Sequence, residues 1–369
     1  MTTVGIVSPG FMGAGLGQAL RTGGARVVTT LDGRSARSAR LATDAGLEVL
    51  PSLAAVLAAS DVILSVVPPG QAVATAHAVA TAARAAGLHA DPGAGSTRGS
   101  GTSSAREAIT DPGREAGGGS AREAITDPGR EAGGGSGREA ITDPGREVGG
   151  GSGREATTDP GREVGGGSGR GAGAGLPVVA DLNAVSPETM AVIARALDGL
   201  PVVDGSISGP PPTTAPGAHV YLSGLRAAEV AALPWDGQVE PVVLGPEIGT
   251  ASALKMCTAG VYKGLTALLT QALRTAGHHG VLDPVLADLA RNGFTGSAGI
   301  ARSATKAARF VDEMREIAAT QAGAGLTPAL FQALADVYAD IATTPLAQGA
   351  PESTGDLPPT EIVNRLTSR

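Results

Sequence analysis

The sequence predicts an α/β chain, a doubly wound, mostly parallel sheet followed by an all-α C-terminal domain. An apolar run passes straight into a glycine-punctuated turn and a small-residue helix at Val4 to Gly17, VGIVSPGFMGAGLG. Strand-like and helix-like segments then alternate, the pattern of parallel strands joined by crossover helices. From Gly249 onward the apolar residues recur only with helical spacing.

Val4, Ile6 and Val7 supply β-branched residues for a buried first strand. The turn Ser8-Pro9-Gly10-Phe11-Met12-Gly13 follows, reading S-x-G-x-x-G where the dinucleotide-binding fingerprint has G-x-G-x-x-G. Gly10 and Gly13 present no side chain to hold a pyrophosphate away from the backbone. The helix opening near Met12 aims its free N–H groups and positive dipole end at the same place. Ser8 to Gly13 are therefore candidate cofactor-binding residues of a Rossmann-type domain.

A second strand, Arg26 to Leu31, ends at Asp32-Gly33-Arg34-Ser35-Ala36-Arg37, where an adenosine ribose would be read. An acid there accepts from the ribose hydroxyls of NAD, whereas arginine pairs with the additional phosphate of NADP. Arg34, Ser35 and Arg37 outnumber Asp32, which favours NADP, with NAD as the alternative. Ser52 to Ala59 reads as a short helix and Asp61 to Val67, DVILSVV, as a buried strand. Pro68-Pro69 ends that strand at the edge where the cofactor would lie, which adds Val67 and Pro68 to the cofactor contacts. Gln71 to Ala86 is an alanine-rich helix.

A repeat then interrupts the alternation. Residues 105–120 read AREAITDPGREAGGGS, and the same unit returns at 121, 137 and 153 with few changes. Each copy carries two Arg, two Glu and one Asp, so four copies at −1 account for −4 of the formal charge of −7. A solenoid repeat must bury an apolar face against its neighbours. This unit offers only Ala with one Ile or Thr, broken by Pro and GGGS, so burial cannot offset chain entropy. Residues 91–175 are expected to be a disordered insert.

After it, Leu176 to Leu182 resumes as a strand that delivers Asn183, and Ser186-Pro187-Glu188 begins a helix. Pro201 to Asp204, His219 to Ser223 and Pro241 to Leu244 are further strand candidates. Gly249 to Thr275 suits a long helix stopped at Gly277-His278-His279-Gly280. The paired histidines read as a helix terminus, since no neighbouring Cys, Asp or Glu completes a ligand set, and no metal is expected. Arg309 to Ala324 and Pro328 to Thr343 are amphipathic helices. The expected domains are residues 1–90 with 176–246 for the cofactor and 247–345 for the helical part, with 346–369 as a loose tail.

Composition narrows the partners. Aromatic residues make up only 2%, so the core must be built from Ala, Val, Leu and Ile. The single cysteine, Cys257, excludes internal disulfides and thiolate metal clusters and fits a reducing compartment. The first strand begins almost at Met1, leaving no room for a cleavable signal, and no segment has the length and apolarity of a membrane span. The expected location is the cytoplasm. The negative balance, with no basic run outside the repeats, argues against nucleic acid.

Ser8 to Gly13, Asp61 to Pro68, DLNAVSP at Asp181 to Pro187, DGSISGPPP at Asp204 to Pro212 and GTASALK at Gly249 to Lys255 follow one another in an order that resembles the β-hydroxyacid dehydrogenase superfamily. That superfamily contains the 3-hydroxyisobutyrate and 6-phosphogluconate dehydrogenases. The SPG turn, the DLNA and GPPP runs, and the KMCTAGVYKG and FVDEMREIAAT segments resemble a bacterial branch with a phosphogluconate-dehydrogenase-like C-terminal domain. Gly33-Arg34-Ser35 falls in register with the Asn-Arg-Thr of NADP-dependent relatives.

The resemblance implies roles. Lys255 matches the lysine that acts as general acid/base while hydride passes to or from the nicotinamide. Such a group is needed because removing hydride from a carbinol carbon leaves a positive carbonyl unless the hydroxyl proton leaves too. Asn183 stands where the family has a substrate-binding serine, and Ser208 and Gly209 match its carboxylate-binding Ser-Gly. Ala259 replaces an asparagine one helical turn beyond the lysine, which leaves Tyr262 or Lys263 to supply the polar contact, and Pro210 replaces a further glycine. The implied protein is an NADP-linked dehydrogenase or reductase of a small hydroxy or oxo acid or related carbonyl compound, working as a homodimer. The alternatives are an imine reductase on the same fold, against which Lys255 counts, and a non-catalytic NADP-binding protein.

Overall fold

The computed structural model describes residues 1–88, 175–197, 199–294, 297–349 and 357–368, which belong to a single structural unit. The repeat insert expected over residues 91–175 lies outside the described residues, apart from Gly175.

Eight strands form one sheet in the order β3-β2-β1-β4-β5-β6-β7-β8. They are β1 (Thr3–Val7), β2 (Arg26–Thr30), β3 (Glu48–Leu50), β4 (Val62–Ser65), β5 (Val178–Asp181), β6 (Val202–Ser208), β7 (Ala218–Ser223) and β8 (Val239–Gly245). All neighbours pair in parallel except β6 with β7. Helices α1 (Phe11–Thr22), α2 (Ala36–Asp44), α3 (Leu53–Ala59), α4 (Ala72–Ala85), α5 (Pro187–Ala196) and α6 (Ala227–Ala231) lie along the sheet, and a 3-10 turn, Pro69–Gln71, precedes α4.

Alternation along each strand explains why both faces are covered. Val4, Ile6, Val62, Leu64, Val178 and Ala180 join the core that contains Leu16, Leu20 and Trp235. Their neighbours Val7, Ile63 and Val179 join the opposite core, with Val56, Leu57, Val79, Met190 and Ile193. Each Val, Leu, Ile or Met side chain among them contributes about 1.5–3 kcal/mol when fully buried. Leu88 and Leu176, the residues on either side of the long connection between α4 and β5, are both packed against this second core.

The helical part comprises α7 (Thr250–His278), α8 (Leu282–Arg291), α9 (Ser297–Ala304), α10 (Ala307–Gly323), α11 (Ala329–Ala342) and α12 (Pro359–Thr367). Met256, Ala259, Phe310, Met314, Tyr338 and Ile341 form its core. The sequence-level expectation of a loose tail after Pro345 is corrected here. Ile362, Val363 and Leu366 of α12 are buried in the same cluster, and Val363 lies so close to Gly277 of α7 that a Cβ there would meet it at 2.5 Å. Three apolar residues on one face of a nine-residue helix suffice for docking, a signal too short for periodicity to stand out.

Among the described residues, no helix is long and apolar enough to cross a membrane.

Candidate active site

Strands β1, β4, β5 and β6 are adjacent and parallel, so their carboxyl ends share one edge, with Val7 opposite Ser65 and Ser65 opposite Asp181. Ligands of open α/β sheets bind at that edge. Ser8, in the first glycine position of the fingerprint, has φ 74°, a left-handed conformation unusual for a residue with a side chain. Its carbonyl accepts from the Gly10 N–H at 2.8 Å, which bends the chain into α1.

The turn meets the physical requirements of a dinucleotide. Gly10 caps α1 without a side-chain hydrogen bond, and the first turn holds no acidic residue. Nothing lies within 4 Å of where a Cβ of Gly10 would be, so space rather than packing accounts for that glycine. Gly13 is different: a Cβ would meet the Ser8 carbonyl oxygen at 2.4 Å. Uncapped N–H groups facing open space at a positive helix end are what a pyrophosphate needs. Pro9, Phe11 and Met12 frame the same turn.

At the end of β2, Gly33 has φ 67° and Ser35 caps α2, accepting from the Ser38 N–H at 3.2 Å. Arg34 and Arg37 are half-buried beside this cap, and Asp32 is exposed. Both residue types that read a ribose are thus at the proper strand end.

Asn183 has a different role from the one expected of it. It is buried, its Oδ1 accepts from the Val67 N–H at 2.6 Å, and its Nδ2 donates to Ser65 Oγ at 3.2 Å and Asp181 Oδ2 at 2.8 Å. Both amide N–H groups are spent on this clamp, leaving none for a substrate. The clamp explains why β4 stops at Ser65 rather than Val67, since the Val67 N–H leaves the sheet ladder for Asn183 and Pro68 follows exposed at the edge. Burial pushes the Asp181 carboxyl up to about 7 against the hydrogen bonds from Asn183 and Ser65, with the charge of Asp204 adding to the rise.

Lys255 is brought to the same edge by α7. Its Nζ donates to the carbonyl of Ile207 at 2.6 Å, directly before Ser208 and Gly209. Burial, reinforced by the positive charge of Arg309, lowers its ammonium to about 8. Gly209 has φ 124°, and a Cβ there would meet the Ala218 Cα at 2.9 Å, so the turn into β7 demands glycine whatever it binds. Of the prolines that follow, Pro210 is exposed, whereas Pro212 is buried and touches the position of a Gly15 Cβ on α1 at 3.1 Å.

Of the two side chains expected to replace the missing asparagine, neither takes a free position in the cleft. Tyr262 is 69% exposed. Lys263 is half-buried and paired with Glu313, with its Nζ 4.7 Å from the centroid of Phe310. Ala259 is buried in the helical core.

Sequence reasoning missed two groups here. Asp204, fully buried, accepts at one oxygen from Ser223 Oγ at 3.0 Å, Gly249 N at 2.9 Å and Ser252 N at 3.1 Å, and at the other from Ser252 Oγ at 2.7 Å. It thereby fixes the start of α7. The second group is α10: Arg309 and Lys306 at its start and Glu313 one turn later face Lys255 and Lys263. A lysine, an arginine and a glutamate at helical spacing resemble any solvated helix face, so the sequence carried no signal for them.

No curated protein sequence matches the chain. Residues 276–341, from the end of α7 into α11, match the domain of unknown function DUF1932. Among solved structures, a 3-hydroxyisobutyrate dehydrogenase from Mycobacterium tuberculosis, studied with L-serine, is 16% identical over 100% of both chains with a TM-score of 0.55. One from Salmonella typhimurium is 14% identical over 99% of each chain with a TM-score of 0.54. A conserved hypothetical protein from Sinorhizobium meliloti is 22% identical, covering 99% of this chain and 96% of its own, at a TM-score of 0.52. The strand order, the glycine turn and the long helix carrying Lys255 together make this chain one with the 3-hydroxyisobutyrate dehydrogenase fold, with residues 276–341 matching DUF1932.

Proposed function

We propose that the chain is an NADP-dependent oxidoreductase acting on a small hydroxy or oxo acid, with Lys255 as the general acid/base. The observation that carries this reading is the Lys255 Nζ, buried against the Ile207 carbonyl beside Ser208 and Gly209 at the carboxyl edge of the sheet.

The uncapped start of α1 and the open space at Gly10 suit a pyrophosphate, and Arg34, Ser35 and Arg37 suit the phosphate on the ribose. NADP supplies the hydride exchange when bound. In oxidation, neutral Lys255 accepts the substrate hydroxyl proton; in reduction, its ammonium returns that proton to the carbonyl oxygen. A lysine lowered to about 8 serves both directions near neutral pH. Ser208 and Gly209 are the substrate-carboxylate contacts in this reading, and Asn183 holds Val67 and, through it, Pro68, which would contact the cofactor.

The test is Lys255→Met. Calorimetric titration should show tighter binding of NADPH than NADH by both wild type and variant, while reduction of a panel of oxo acids falls by about 10²–10⁴-fold in the variant. Retained activity in Lys255→Met would remove Lys255 from the chemistry; absence of binding by either nucleotide would remove the cofactor.

The working unit in this reading is a homodimer. Val261, Tyr262, Leu265 and Leu268 form an exposed apolar stripe along α7, at 67, 69, 39 and 63% exposure, and α8 buries none of its residues fully. A second copy of the chain would cover both.

A further inference from the structure

Ser208 ends β6, and β7 returns beside it in the antiparallel sense, so that His219 stands directly opposite Ser208 and Tyr221 opposite Ser206. Residues opposed in this way carry their side chains on one face of the sheet, with Cβ atoms about 4.5–5.5 Å apart. That face is the one that meets α7: Ser206 Oγ donates to the Ala251 carbonyl at 2.9 Å, one helical turn before Lys255. The other face, with Ile207, Ala218 and Val220, is closed by the core. His219 is thus the cross-strand neighbour of Ser208, and Lys255 Nζ bonds the carbonyl of the residue just before it.

The ring of His219 is held on two sides. It stacks on Tyr221, with centroids 5.9 Å apart and planes inclined by 16°, and its Nε2 lies 3.2 Å from Oε2 of Glu240, the residue opposite it on β8. Its Nδ1 and the Ser208 hydroxyl have no hydrogen-bond partner among the described residues. The side chain of His219 is 40% exposed, so a ligand can reach the ring.

A carboxylate at Ser208 needs such a donor. It presents two oxygens with about four lone-pair sites. The chain beyond Gly209 reads Pro210-Pro211-Pro212, and these contribute no N–H. Lys255 is committed to the reacting hydroxyl in the proposed reaction. A protonated imidazole supplies a charge-assisted hydrogen bond, roughly twice as strong as a neutral one.

We propose that His219, held by Tyr221 and Glu240, is the cationic partner of the substrate carboxylate at Ser208, and that it selects hydroxy and oxo acids over their neutral amides. This rests on the reading of Ser208 as a carboxylate contact.

The experiment is calorimetric titration of the full chain at about pH 6 and low ionic strength, with and without NADPH. The probes are oxamate, which carries a carboxylate beside a carbonyl, and oxamide, which carries an amide in its place. Wild type should bind oxamate at least tenfold more tightly than oxamide. His219→Phe, which keeps a ring on Tyr221, should bring that ratio below threefold, whereas His219→Arg, which keeps a positive charge, should retain it. A ratio unchanged in His219→Phe, a ratio lost equally in His219→Arg, or no preference for oxamate in wild type would overturn the inference. Ser208→Ala separates it from the reading beneath it: an unchanged ratio there with a collapsed one in His219→Phe would remove Ser208 from the carboxylate and leave His219 in place. The readout is a ratio of affinities, so it is independent of turnover by Lys255.

Discussion

Lys255 and Lys263 lie about two turns apart on one helix and meet opposite partners. Lys263 has a buried carboxylate, Glu313, whereas Lys255 has only the carbonyl of Ile207. A carbonyl accepts a hydrogen bond but brings no charge to hold a proton, so burial and Arg309 lower Lys255 to about 8. Oxidation requires the neutral amine and reduction the ammonium. The oxidation rate should therefore rise as pH passes through about 8 and the reduction rate fall over the same range. Arg309→Gln, which removes a positive neighbour, should move both inflections to higher pH. Inflections that stay in place would mean that another group titrates. The candidacy of Lys255 was legible through the resemblance of GTASALK to the β-hydroxyacid dehydrogenases, and the small residues of Gly249-Thr250-Ala251-Ser252-Ala253 argued only that its stem is packed. The commitments of Asn183 were not legible: an asparagine can donate to substrate or to backbone, and only the meeting of β4 and β5 decides which.

At the scale of elements, the sheet was readable because both faces are covered and buried strands show as apolar runs. The exposed edge strand β3, with only three residues, and the short helices α6, α8 and α9 fell below what periodicity resolves. The start of α7 was placed within one residue, yet its anchor was hidden, because Asp204 is 46 positions before Thr250 in the chain. Asp204 binds that start through three of its four hydrogen bonds, the fourth tying it to Ser223 of β7. Asp204→Asn converts one acceptor oxygen into a donor facing N–H or O–H groups. It should cost roughly 2–3 kcal/mol in urea denaturation, as expected for buried bonds to a charged group left unmade. Since α7 carries Lys255, the variant should also lose activity in excess of its unfolded fraction; normal stability would show that α7 is held by packing alone.

At the scale of the whole molecule, the apolar stripe on α7 is a statement about assembly. Leu268→Glu together with Tyr262→Glu should turn the proposed dimer into a monomer in sedimentation velocity with the fold preserved by circular dichroism; a wild type that sediments as a monomer, or an unchanged sedimentation coefficient, would overturn the stripe as a subunit contact. The stripe had escaped sequence reading because its residues share α7 with a buried face, and which apolar face turns inward is settled only by the neighbours α10 and α11.

The long connection between α4 and β5 has its own consequence. A helix returning to a parallel strand arrives at the strand's amino end, opposite the edge that holds Ser8, Pro68 and Lys255. Leu88 and Leu176 moor the chain to the core on either side of it. The two described ends of that connection are therefore fastened by the fold itself at the edge away from the one that holds Ser8, Pro68 and Lys255.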